Sequence, residues 1–113
     1  MTGSAWQLFE IPDLMKKVEG KEPRYFEFLR IPTLSSAIYR LPAGAKDMQA
    51  PHLENEVYVV IEGRARLRID GKNHDISRGS ILFVEATAEH SFFDIEEDLV
   101  VLAFFGTSER LGE

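Results

Sequence analysis

Three side chains are of the kinds from which a metal centre is assembled. His52 and Glu56 stand four residues apart just before the run Val57-Tyr58-Val59-Val60-Ile61, and His90 opens the later segment HSFFDI. Neutral imidazole and carboxylate are good donors for iron, manganese, nickel and zinc. Spacing limits how the first two can cooperate. On a straight strand they would stand about 13 Å apart, at about 3.3 Å per residue. Ligands of one ion each lie within about 2 Å of it. A helix would close the gap, but Pro51 precedes the pair and strand-forming residues follow it. The pair shares an ion only if Leu53-Glu54-Asn55 turns, so that His52 ends one strand and Glu56 begins the next. Otherwise the two are the polar lip of an ordinary hairpin.

By period two, His90 shares a face with Phe92 and Asp94, which points it toward a core, a pocket or a dimer surface. Asp94 is then placed to orient the imidazole or to lie at the pocket mouth. The plainer reading is a hydrogen-bonded histidine at a barrel rim. Tyr58 falls on the face of Glu56, and with Phe92, Tyr39 and Phe83 it is a candidate to line a cavity, although a closed barrel needs aromatic filling whatever it does. Gln49 alternates away from His52 and is taken no further than a pocket-lining position. His74 sits beside a turn and is expected to be exposed and without a role.

The elements that must hold these residues read as β almost throughout. Asp13 is expected to cap a helical turn over Leu14 to Val18, ended by Gly20. Strands are expected over Arg24 to Ile31 and Leu34 to Leu41, bounded by prolines, and over Glu56 to Glu62, stopped by Gly63. Arg64 to Asp70 alternates, with Ala65, Leu67 and Ile69 on one face. Asp70-Gly71 is a hairpin turn signal leading into His74 to Ser77. Ser80 to Val84, His90 to Ile95 and Leu99 to Phe105 follow, with Glu96, Glu97 and Asp98 as a break between the last two. Seven to nine short strands indicate an all-β sandwich or closed barrel.

At 113 residues the chain fits one domain. It has no cysteine, which excludes disulfides, thiolate metal sites and cysteine nucleophiles and accords with a cytoplasmic location. A net charge of −6 argues against nucleic acid or an anionic membrane as partner. The basic cluster Arg64, Arg66 and Arg68 reads as a solvated strand face. No apolar run is long enough to cross a bilayer, and the N-terminus lacks the features of a signal peptide. Trp6 to Ile11 is more apolar than a free arm, so it is expected to pair with a partner's sheet edge in a homodimer or to cover its own barrel.

The segment from Leu41 to Phe105 resembles the cupin superfamily in its small single-domain form. The first cupin motif runs glycine, five spacers, His-x-His, three or four spacers, Glu, six spacers, glycine, and Gly44, His52, Glu56 and Gly63 fall in register with it. The second runs glycine, five spacers, proline, x, glycine, two spacers, His, three spacers, Asn. Gly79 and His90 match it, while Glu85, Thr87 and Asp94 replace the proline, glycine and asparagine. The resemblance implies a double-stranded β-helix, or jelly-roll barrel, over 34–105, with N-terminal strands and a short helix in 1–33. It implies His52, Glu56 and His90 as ligands of a divalent metal, Fe, Mn, Ni or Zn, with Gln49, Tyr58 and Phe92 lining the pocket. The first histidine of His-x-His is Ala50 here, which leaves a coordination position open and weakens retention of the ion. The activity implied is a metal-dependent reaction on a small molecule, oxygenase-type first, with Asp94 as a group fixing a histidine tautomer. A non-catalytic metal- or ligand-binding cupin and a structural homodimer with a vestigial site are the alternatives.

Overall fold

The computed structural model of the chain describes residues 5–47 and 53–106. They form helix α1 (Ile11–Lys17) and six strands: β1 (Arg24–Ile31), β2 (Leu34–Leu41), β3 (Asn55–Ile69), β4 (Lys72–Ser77), β5 (Ile81–Val84) and β6 (His90–Gly106). All pairings are antiparallel, in the order β1-β2-β6-β3-β4, with β5 also beside β3. This is the all-β jelly roll expected from the sequence.

Six strands replace the expected seven to nine because two apparent breaks are interior to long strands. β3 runs through Gly63, and β6 runs through Glu96-Glu97-Asp98. Gly63 has φ +95°, and a Cβ there would lie 2.2 Å from the carbonyl oxygen of Asp98. The glycine therefore permits a close approach of two backbones rather than a chain reversal. The acidic run stays in the sheet by pairing with β3, where Arg64 lies opposite Glu97 and its side chain reaches Glu96 (3.2 Å) and Glu97 (3.4 Å) at the surface.

Irregular pairing between Val60 and Arg66 has a larger consequence. Before it, Glu56, Tyr58 and Val60 face inward; after it, Ala65 and Leu67 do. In β6 the inward set changes from His90 and Phe92 to Ile95, Leu99, Val101, Ala103 and Phe105. An extra residue exchanges the faces of a strand, and both strands switch together, so the enclosed core remains continuous.

A second core lies on the outer face of the sheet. There Leu14 of α1 and Val18, the residue capping its C-terminus, pack against Ile38 of β2 and Val100 of β6. Burying side chains of this size stabilises the fold by about 1.5–3 kcal/mol each. Coverage from both sides explains why Ser35 to Tyr39 are all buried. The helix starts differently from expectation: Glu10 is the N-cap without a side-chain cap bond, and Pro12 occupies the first turn together with Asp13. Proline is favoured there because its missing N–H would be unpartnered anyway. Asp13 instead acts on the helix dipole, with Lys16 and Lys17 at the opposite end. Asp70 (φ +48°) and Gly71 (φ +81°) make the expected primed hairpin turn between β3 and β4.

Candidate functional site

The chain bends at Leu53-Glu54 and enters β3 at Asn55, so Glu56 is the first inward-facing residue of that strand. The Asn55 carboxamide oxygen accepts the Ala86 N–H at 2.8 Å. This bond ties the start of β3 to the loop that delivers His90. The Glu89 carbonyl accepts from Asp70 N–H at 2.9 Å and fixes the other end of that loop. Glu56 and His90, remote in sequence, meet inside the barrel.

Their geometry is close. His90 Nε2 lies 2.8 Å from Glu56 Oε1 and 3.2 Å from the Tyr58 hydroxyl, while Nδ1 lies 3.0 Å from the Ala88 carbonyl. A carbonyl only accepts, so Nδ1 carries a hydrogen and donates it, which turns Nε2 into the pocket. Glu56 is 2% exposed and Tyr58 1%. The Tyr58 ring stands edge-on to Phe92 at 5.0 Å between centroids. The hydrogen bond to Glu56 raises the His90 pKa above the usual imidazole value; burial opposes this, and the Ala88 carbonyl and the charges of Glu56 and Asp47 add to it.

Glu56 is the anomaly of the interior. Apart from the ion-pair contact with His90, neither carboxylate oxygen has a well-aligned hydrogen-bond donor among the described residues. A buried carboxylate in that condition is costly, and a cation is the natural partner for it. The spacing of the donors suits one. Ligands about 2.0–2.2 Å from an ion stand about 2.8–3.1 Å apart at a right angle and about 3.3–3.6 Å apart at the tetrahedral angle. The two contacts of Nε2 fall in or near that range, and an imidazole whose other nitrogen donates to a carbonyl is the usual form of a metal-bound histidine. The residues therefore fit a divalent ion. Among the described residues no group of three His, Asp or Glu side chains converges; the expected third ligand, His52, and the pocket position Gln49 lie outside the described residues.

Other expectations divide. Phe92 and Tyr39 are buried in the inner core, and His74 is exposed. Phe83 is 62% exposed on the outer face and lines no inner cavity. Asp94 is exposed, with φ +48° and its carboxylate 3.8 Å from Arg66, because the left-handed residue breaks the alternation begun at His90. The Ala88 carbonyl takes the tautomer-fixing part expected of Asp94. Asp47 was not foreseen. Its carboxylate accepts from the Tyr39 hydroxyl at 3.0 Å and the Phe92 N–H at 2.9 Å, pinning the loop after β2 to the start of β6. No local pattern announces such a bond, since its partner lies 45 residues away.

Comparisons with known proteins accord with this architecture. A family model described as Cupin domain matches residues 37–105. Over 101 residues the chain is 37% identical to an uncharacterized protein of Streptomyces coelicolor, covering 89% of this chain and 96% of that one. In structure it is similar to a conserved protein of unknown function from Streptococcus pyogenes, with TM-score 0.76, 16% identity and 95% of each chain covered. It is also similar to a DMSP lyase from Ruegeria pomeroyi, with TM-score 0.72 and 14% identity over 80% of this chain and 50% of that one. For salicylate 1,2-dioxygenase from Pseudoaminobacter salicylatoxidans the TM-score is 0.70 and the identity 18%, over 77% of this chain and 25% of that one. At such identities the structural likeness establishes the fold alone.

Proposed function

The chain belongs to the cupin domain family, and from that premise we propose that it holds a divalent metal ion through His52, Glu56 and His90 and acts there on a small molecule, with oxygenase-type chemistry first. The observation that carries this reading is the buried Glu56 carboxylate, 2.8 Å from His90 Nε2 and otherwise without a donor among the described residues. Iron, manganese, nickel and zinc all accept such a set. When bound, the ion supplies a Lewis acid and a template for substrate.

The chain's own residues have definable tasks. Glu56 balances the cation's charge, and its burial strengthens the attraction. The Ala88 carbonyl holds His90 in one tautomer and one orientation. Tyr58 and Phe92, packed edge to face and buried, stand beside the donors in the barrel interior. His52 enters by its place in the first motif.

The test is oxygen uptake by metal-loaded protein with small catechol, diketone and thiol substrates, wild type beside His90→Ala. Uptake by the wild type and its loss in the variant are expected; equal rates would contradict the assignment. Ala50, standing where the motif has its first histidine, favours a second reading: a non-catalytic holder of a metal or small ligand. Saturable ligand binding by calorimetry without turnover would select it.

We also propose a homodimer. The observations behind it are Trp6 and Leu8, each 73% exposed, and Tyr25 and Ile31, exposed on β1 at the end of the sheet. Light scattering should give twice the chain mass; a monomer at micromolar concentration would contradict it.

A further inference from the structure

We propose that the Tyr58 hydroxyl is itself a ligand of the ion, supplying the donor that Ala50 removes; this rests on the metal reading given above. Tyr58 follows Glu56 by two residues on β3, so both project into the barrel. Its oxygen lies 3.2 Å from His90 Nε2, and Glu56 Oε1 lies 2.8 Å from the same nitrogen.

The spacing is open to coordination as well as to a simple polar contact. Nδ1–H is given to Ala88, so Nε2 faces the two oxygens, and one ion placed among the three heteroatoms would receive a lone pair from each. The 3.2 Å separation lies between the spacings of about 2.8–3.1 Å and about 3.3–3.6 Å that right-angle and tetrahedral ligand pairs adopt.

The tyrosine is also held in place. Its ring is 1% exposed and packed against Phe92, so the hydroxyl cannot swing to solvent without opening the core. On coordination the O–H bond breaks, the proton leaves to solvent and the phenolate oxygen forms the metal bond. A phenolate beside the Glu56 carboxylate puts two negative charges on the ion, which balance a divalent cation, and ferric iron is the probe because its phenolate complexes absorb in the visible. Tyrosine serves as an iron ligand in other proteins.

Tyr58→Phe tests this, because it deletes one oxygen and keeps the ring. Wild type, Tyr58→Phe and Tyr39→Phe would each be stripped of metal, loaded with ferric iron and compared by visible absorption and chelator competition. Phenolate bound to ferric iron gives a charge-transfer band in the visible. The band is expected in the wild type and in Tyr39→Phe. In Tyr58→Phe it should vanish, with iron held about 10-fold or more less tightly. Iron bound without the band in the wild type, or with the band unchanged in Tyr58→Phe, would overturn the assignment to Tyr58 and leave the metal site standing. A band lost in Tyr39→Phe instead would move the ligand to that residue. A wild type that takes up no iron, manganese, nickel or zinc would overturn the metal reading and this inference together. Melting curves of the metal-free variants identify any loss that comes from unfolding.

Discussion

Gly63→Ala is expected to destabilise the protein far more than its chemistry suggests. The residue sits at φ +95°, where an L side chain costs about 1–2 kcal/mol. Its new Cβ would meet Asp98 O at 2.2 Å, Asp98 C at 2.8 Å and Leu99 Cα at 2.7 Å. All three are backbone atoms, so no side-chain rotation relieves the overlap. β3 and β6 must separate at the point where both strands exchange faces, and overpacking of this kind costs about 1–3 kcal/mol more. The total is about 2–5 kcal/mol, or roughly 8–20 °C in melting temperature for a chain of this size. Gly71→Ala is the control. It has φ +81° but open space within 4 Å, so it carries the backbone term alone. Urea unfolding of both variants beside the wild type measures the difference. Equal destabilisation by the two would refute the argument that contact between β3 and β6 is what requires a glycine at position 63.

Three further outcomes are expected. The His90 pKa is raised in the folded chain, so in metal-free protein its pairing with Glu56 stabilises fully below about pH 6.5 and is lost as pH rises through the folded value. The urea midpoint of metal-free protein should therefore fall with rising pH relative to His90→Gln, and a midpoint difference that grows with pH would contradict this. Metal retention should run the opposite way, because protons compete for the imidazole. Asp47→Asn leaves one of two acceptor bonds imperfect, at about 1–2 kcal/mol by urea unfolding, and no change would mean that the clamp on Phe92 N–H is idle. Arg66→Ala should cost less than about 1 kcal/mol by the same assay, because its partners Asp75 and Asp94 are exposed; a larger loss would mark the arginine ladder as structural.

Local patterns carried the hairpin well. Ala65, Leu67 and Ile69 alternate, and Asp70-Gly71 demands positive φ, so β3, its turn and β4 can be read directly. The long strands could not be, since Gly63 and Glu96-Glu97-Asp98 have the composition of loops. What keeps them in strands is each other, a contact between segments some 35 residues apart that leaves no local period. Alternation counted from His90 likewise failed at Asp94, where one left-handed residue reset the face. The meeting of Glu56 and His90 was signalled by motif spacing rather than periodicity, because they belong to different strands and come together only when the sheet closes. Tyr58 was placed correctly on the inner face by its position two residues after Glu56. Its approach to Nε2 depends on how β6 crosses the barrel, and that is a tertiary fact.

The most direct measurement is elemental analysis of the purified protein after chelator treatment and reloading, with wild type, His52→Ala and Glu56→Gln side by side. Near-stoichiometric iron, manganese, nickel or zinc in the wild type and its loss in both variants is the expected result. A wild type that retains none of these ions, or variants that retain as much as the wild type, would contradict the proposed centre.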